Sequence, residues 1–163
     1  MAGQHTLNET ESEVASRLGG LKLDFEAMAV TSNLFRAANS VRNHLERTVL
    51  AKADLTWTAF VVLWVVWIWE PIETRGIAAE GGFSKATLSG VLTTLEGRGF
   101  LTRERSTSDG RLVLVSLTPA GRRLMKKLFP EFNAEERNIT RHITTGDLPQ
   151  AAQILRDLIS ATE

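Results

Sequence analysis

Apolar residues change their spacing several times along this chain, and each change marks an element. Between Ser84 and Glu96, Leu88, Val91, Leu92 and Leu95 recur at three- and four-residue intervals, one stripe on a short helix whose other face is small and polar. Ser84 stands before the stripe as a capping residue, and Gly97 and Gly99 bracket Arg98 where the helix should stop. The period then shortens. Phe100 to Thr107 and Arg111 to Leu117 read as two strands joined through Asp109-Gly110, a strong hairpin signal. A helix feeding a basic hairpin outlines a winged helix-turn-helix.

Upstream, Asn8-x-x-Glu11 fits a capping box for a helix reaching Leu18, ended by Gly19-Gly20, with Met1 to Leu7 as a mobile tail. Asp24 caps a long helix to about Leu50, with Leu34, Ala38, Val41, Leu45 and Val49 as its seam. Ala59 to Trp69 is apolar throughout, preceded by Thr56 as N-cap and closed by Glu70-Pro71. It is too short to cross a bilayer, and an all-apolar run does not separate a buried helix from a buried strand. As a helix it puts Trp57, Phe60, Val61, Trp64 and Ile68 on one face, with Trp67 and Trp69 on the flanks. Thr74 to Glu80 gives a short helix and Gly81-Gly82 the turn into Ser84. Beyond the hairpin, Thr118-Pro119 starts a helix to about Phe129, Pro130 should kink or interrupt it, and Glu131 to Ile143 continues. Asp147 caps a last helix lined by Leu148, Ala151, Ile154, Leu155, Leu158 and Ile159.

Length and charge narrow the function. The 163 residues suit one domain with a real core, and the net charge is zero. Ser84 to Leu128 nevertheless holds nine cations (Lys85, Arg98, Arg103, Arg105, Arg111, Arg122, Arg123, Lys126, Lys127) against Glu96, Glu104 and Asp109, a local +6 balanced by −6 elsewhere. Such segregation makes one face a polyanion candidate. There is no cysteine, and His5, His44 and His142 are too scattered for a metal motif. Neither a nucleophile elbow nor a phosphate-binding glycine loop occurs, so no enzyme, metal site or cofactor is expected. The polar, acidic N-terminus lacks signal-peptide features, which leaves a cytoplasmic location and no membrane partner as the expectation.

The chain resembles the MarR family of winged-helix transcription regulators from roughly Phe25 to Ile159. The matching elements are Leu55-Thr56 opening an apolar helix, Ser84 to Ser89, Leu95-Glu96-Gly97-Arg98-Gly99-Phe100, the wing Asp109-Gly110-Arg111, and Leu117-Thr118-Pro119-Ala120-Gly121. Their order and spacing carry the likeness, which favours helix for Ala59 to Trp69. The resemblance implies an α+β, predominantly α fold: a winged helix-turn-helix over 55–118, long dimerisation helices over 24–54 and 119–163, and an N-terminal tail and short helix over 1–23. It also implies a homodimer acting on a pseudo-palindromic operator in double-stranded DNA. Without cysteine, the peroxide-sensing branch of that family is ruled out.

Candidate contacts follow from side-chain chemistry. Lys85 can reach a phosphate or guanine edge, while Ser84, Thr87, Ser89, Thr93 and Thr94 can exchange hydrogen bonds with bases or phosphates. A solvated helix face is the plainer reading. Gly90 departs from the resembled family, which often has a larger, basic residue there. Arg111 is the minor-groove candidate, with Gly110 standing where the family commonly has another arginine. Asp109 either touches DNA or orients a neighbouring arginine. Arg103 and Arg105 are phosphate candidates, or else pair with Glu104 or other carboxylates. The tryptophans read as core packing. The family's habit of binding small aromatic or phenolic effectors suggests instead a pocket of Asn39, Arg42, His44, Trp57 and Trp64. The function expected is a repressor relieved by such a ligand; the alternatives are a winged-helix protein-interaction module and a ligand-independent DNA-binding protein.

Overall fold

The computed structural model describes residues 4–107 and 109–162, so residues 1–3 of the expected tail, Ser108 in the wing and Glu163 lie outside it. The chain forms two compact units, Met1–Asn43 and His44–Glu163. In the first, helix α1 (Leu7–Leu18) opens on a capping box. The box is Thr6 with Glu9, not Asn8 with Glu11: the Thr6 hydroxyl accepts from Glu9 N at 3.2 Å and the Glu9 carboxylate from Thr6 N at 2.7 Å. Thr6 precedes the first helical turn, whereas Asn8 already lies inside it, and Glu11 instead accepts from the Asn33 amide at 2.7 Å. Helix α2 (Phe25–Thr48) starts where Asp24 accepts from Ala27 N at 2.9 Å, as expected. Its seam is buried only toward its end. Leu34 is exposed, while Leu45 and Val49 beyond it are buried.

The second unit is assembled around helix α3 (Trp57–Trp69), which begins where the Thr56 hydroxyl accepts from Ala59 N at 3.2 Å. It is a buried helix, as the resemblance favours, and the residues that share the aromatic face are not all buried. Ala59, Phe60, Val62, Leu63, Val65 and Val66 face inward, whereas Trp57, Val61 and Trp64 are half-buried and Ile68 is exposed. The smaller aliphatic side chains fill the crowded centre, and the bulkier rings serve at its margin. Helices α4 (Thr74–Gly81) and α5 (Lys85–Gly97) form the helix-turn-helix, with Gly82 left-handed at φ 65° in the turn. Strand β2 (Leu101–Arg105) pairs antiparallel with β3 (Val113–Leu117), Leu101 opposite Leu117 and Arg105 opposite Val113. A two-residue strand β1 (Ile72–Glu73), which the sequence did not announce, pairs with β3 to give the order β1-β3-β2. So short a strand has no alternation to read.

Three local expectations change. The wing is longer than a two-residue Asp-Gly hairpin: Ser106 N donates to Leu112 O and Leu112 N to Asp109 O, both at 2.9 Å, so the turn over 109–112 tips a wider loop. Among the described residues the positive-φ glycines are Gly82 and Gly99, and Gly110 lacks the positive φ that the tight hairpin turn requires. Helix α6 (Pro119–Thr140) runs through Pro130 without interruption. Pro130 and Lys126, whose carbonyl loses its partner, both sit on the exposed side, where water can take the missing bond. Helix α7 (Leu148–Ser160) starts after Asp147, but that carboxylate accepts from the Thr144 hydroxyl and makes no cap bond to the helix.

The wing is fastened to α6 by backbone proximity. Thr118 N donates to Phe100 O at 3.0 Å, and its hydroxyl donates to Gly99 O at 2.6 Å while accepting from Gly121 N at 3.0 Å. A Cβ on Gly121 would stand 2.0 Å from Phe100 O. On the other side of α6, Glu135 Oε1 lies 2.6 Å from His44 Nε2 and accepts from the Asn138 amide at 2.8 Å. The His44 contact first, then the Asn138 amide, hold the Glu135 carboxyl below its ordinary range, with the charges of His44 and Lys52 adding to this.

Gly121→Ala should therefore destabilise the fold by about 1–3 kcal/mol, the usual cost of an overpacked side chain, despite alanine's higher helix propensity. An unchanged midpoint in chemical denaturation would mean that α6 withdraws freely from Phe100. Because the folded Glu135 value is depressed, its contribution to stability is present above the ordinary value of 4.5 and fades as pH falls through the depressed one. Glu135→Gln should accordingly lower the melting temperature at pH 7 and narrow its gap from the parent in strongly acidic buffer. A gap constant with pH would remove this linkage.

Candidate nucleic-acid interface

Helix α5 is built to turn one face outward. Leu88, Leu92 and Leu95 are buried, and the opposite side presents Ser84, Lys85, Thr87, Ser89, Gly90, Thr93 and Thr94, all exposed. The Ser84 hydroxyl accepts from Thr87 N at 3.1 Å, satisfying an orphan donor of the first turn, and lies 2.9 Å from the Thr87 hydroxyl. Thr94 donates back to Gly90 O at 3.0 Å. At the far end Phe100 N donates to Leu95 O and Gly99 N to Glu96 O, with Gly99 at φ 72°, a complete Schellman stop.

The wing beside it holds its arginines in distinct ways. Arg111 has 91% of its side chain exposed, yet its guanidinium forks onto Asp109, Nε to Oδ1 at 3.1 Å and Nη2 to Oδ2 at 3.0 Å. Arg111 N also donates to Asp109 Oδ1 at 3.0 Å. The side-chain bonds, then the backbone bond, hold the Asp109 carboxyl below its usual range, and the same pairing raises Arg111. Asp109 thus holds the Arg111 side chain and backbone together through three hydrogen bonds. Arg103 is half-buried and engages Glu96 of α5 through Nε, at 2.9 Å, and through Nη2, which pulls the Glu96 carboxyl down. Arg105 is exposed, with Nη1 reaching Gly110 O at 3.4 Å. Between α4, α5 and β2 lies a recess of about 480 Å³ bordered by Arg75, Lys85, Ser89 and Arg103.

Two further cations of the basic segment serve the fold. Arg122 pairs with Glu70, whose other carboxylate oxygen accepts from Leu117 N at 2.6 Å, tying the end of α3 to β3 and α6. Arg98 donates to the carbonyls of Ala53 and Asp54. Neither partner could be read from the sequence, because each lies more than forty residues away. Lys85, Arg123, Lys126 and Lys127 are exposed.

The five residues considered for a ligand have the following places. In the first unit, Asn39 donates to Phe35 O at 3.0 Å and accepts from Arg42 Nη2 at 3.0 Å. In the second, His44 meets Glu135. Trp57 lies 6.2 Å from the Phe132 ring, and Trp64 stacks on Phe129 with centroids 4.5 Å apart. Phe60 and Phe132 stack at 4.3 Å, so α3 and α6 share a continuous ladder of rings. Among the described residues no group of three or more His, Asp or Glu is placed to hold a metal ion, and no helix is long and apolar enough to cross a membrane.

Comparison with known proteins agrees with this geometry. A model of the MarR family matches residues 55–113. The HTH-type transcriptional regulator YwaE of Bacillus subtilis is 36% identical over 153 residues, covering 92% of this chain and 90% of that protein. Among solved structures, Bordetella bronchiseptica BpsR, studied for regulation of its DNA binding by 6-hydroxynicotinic acid, superposes with a TM-score of 0.70 at 24% identity over 78% of this chain and 97% of that one. The Mycobacterium tuberculosis regulator MosR, solved with DNA, gives a TM-score of 0.67 at 24% identity over 81% and 94%. With an exposed polar recognition helix, an arginine-tipped wing and a relative alike over nearly its whole length, the chain belongs to the MarR family of winged-helix transcriptional regulators.

Proposed function

We propose that this regulator is a homodimeric repressor that binds a pseudo-palindromic operator and is released by a small aromatic or phenolic ligand. The observation that carries the reading is the polar face of α5, where Ser84, Lys85, Thr87, Ser89, Thr93 and Thr94 are all exposed beside a wing tipped by Arg111. Helix α5 enters the major groove, and Arg111, already oriented by Asp109, enters the neighbouring minor groove. Arg103 and Arg105 approach phosphates from the wing, Arg103 while still braced by Glu96.

Two-fold symmetry would set two copies of α5 about 34 Å apart, one turn of duplex. Support for a second copy comes from unpartnered apolar surface. Helix α7 has no buried residue, and Ile154, Leu155 and Ile159 are exposed, as are Val30 and Phe35 of α2. On this reading 24–54 and 119–163 dimerise and 55–118 reads DNA.

For the ligand, the support is chemical. The ring ladder of α3 and α6 is an environment in which a flat aromatic molecule can be exchanged for a protein ring, and His44 of the same unit supplies a polar partner for a carboxylate or phenol. BpsR, a relative in fold, responds to a hydroxylated aromatic acid. A ligand acts only through a difference in affinity between DNA-competent and incompetent states, so it must alter the placement of the two recognition helices.

Fluorescence anisotropy on duplex from the region upstream of the gene, against unrelated duplex at two salt concentrations, tests the reading. Tight, selective binding that falls steeply with salt is expected. Equal weak binding to both duplexes would overturn sequence-specific regulation. Arg111→Ala should weaken operator binding by roughly ten- to a hundred-fold and relax preference at the wing's base pairs. Affinity equal to the parent's would remove the wing from recognition.

A further inference from the structure

Arg98, at the end of α5, differs from the arginines of the wing in clamping two backbone carbonyls far away in the sequence. Arg98 is the residue after the last turn of α5, and only 30% of its side chain is exposed. Its guanidinium donates through Nη1 to Asp54 O at 2.5 Å and through Nη2 to Ala53 O at 3.0 Å. Its carbon centre lies 4.9 Å from the centroid of the Phe100 ring. The two carbonyls close the 3₁₀ turn Leu50–Ala53 that leads into Thr56, the cap of α3, and Asp54 itself is left-handed at φ 52°. A non-glycine residue in that region is held there by its surroundings. Here a planar fork spans the two carbonyls of the turn.

Part of this side of α5 is left open beside its buried leucines. Between the start of α3 and α5 lies a groove of about 590 Å³, bordered by Thr56, Ala86, Gly90, Val91 and Arg98. Ala86 and Gly90 are too small to span it, and a Cβ on Gly90 would meet nothing within 4 Å. The Arg98 fork therefore adds to the buried packing of Leu92 and Leu95 a polar connection between the C-terminal end of the recognition helix and the turn that leads into α3. Phe100, under the guanidinium, passes its own carbonyl to Thr118 N, so the same junction reaches the start of α6.

We propose that Arg98 is a positioning residue for DNA recognition: it sets the angle of α5 by clamping the Ala53 and Asp54 carbonyls and makes no phosphate contact of its own. This rests on the DNA-binding reading above, but its signature differs from that of a contact residue. Removing a phosphate contact lowers both the affinity and the salt slope, whereas removing a positioning clamp lowers affinity with the slope retained. Lysine also separates the two roles, because it keeps the charge and loses the fork.

The experiment compares parent, Arg98→Lys and Arg98→Ala on the same operator duplex across a salt series, with amide hydrogen exchange of the free proteins alongside. Both variants should lose roughly tenfold in affinity at unchanged salt slope, the scale of a lost hydrogen bond to a charged group. The amides of Asp54, Leu55, Gly99 and Phe100 should exchange faster in both. Lysine restoring parental affinity, or a slope reduced by about one in the alanine variant, would identify a phosphate contact and overturn the proposal. Unchanged exchange at those four amides would overturn it without reference to DNA. A failure of the DNA-binding reading would instead appear as absent binding by the parent.

Discussion

Helix α3 has no polar side along its apolar run, and that single fact organises the second unit. A helix apolar all round is stable in water only if other elements cover it on every side. Here α4, α5, α6 and β3 pack against it and cover most of its length, leaving Ile68 and Trp69 exposed at its C-terminal end. Fully burying an aliphatic or phenyl side chain is worth about 1.5–3 kcal/mol, and α3 buries Phe60, Val62, Leu63, Val65 and Val66. Each covering element commits its one apolar stripe to α3 and has a polar face left over. The outward face of α5 is thus a consequence of the core: Leu88, Leu92 and Leu95 are committed inward, so Lys85, Ser89 and Thr93 cannot be.

What could be read from the sequence is what neighbouring residues decide among themselves. Asp24, Thr56, Ser84 and Thr118 all cap as expected, because a cap needs one oxygen and an amide three residues on. The stripe on α5 and the glycine stop after it are equally local. Errors arose where a local signal was outvoted or was too short. Pro130 ends a helix only if its lost bond is costly, and on the exposed side of α6 it is not. Asp147 had a closer donor in Thr144. Which face of α3 is most buried is not legible in an all-apolar run; the fold gives the most crowded volume to Val62, Leu63, Val65 and Val66.

The candidate interface was legible by residue type and obscured in detail. The count of nine cations treats every arginine as free charge, and five are engaged within the chain: Arg98 on carbonyls, Arg103 on Glu96, Arg105 on the Gly110 carbonyl, Arg111 on Asp109 and Arg122 on Glu70. Of these, the Asp109 pair is two residues apart and could be suspected. Glu70 with Arg122 and Arg98 with Ala53 join parts of the chain that only the fold brings together. An arginine bound bidentately loses little conformational entropy when it meets a further partner. Engagement therefore does not retire Arg111, which is both paired and almost fully exposed, whereas Arg98 faces backbone and is spoken for.

These connections bear on how a signal could travel. Glu70 joins the end of α3 to Leu117 and Arg122, and Phe100 joins the end of α5 to Thr118 and Gly121. Both junctions meet at the first turn of α6, whose later turns stack Phe129 and Phe132 on the rings of α3. A close backbone contact and an ion pair do not deform smoothly, because each holds over a few tenths of an ångström and then breaks. If an aromatic ligand displaces a ring of that ladder, α6 must shift or rotate, and its first turn has two fastenings through which α5 and the wing feel the movement. A loosely packed connection would absorb such a shift. On the proposed reading, a backbone carbonyl pressed against a glycine would transmit the shift or let go, and either response would alter the grip on DNA.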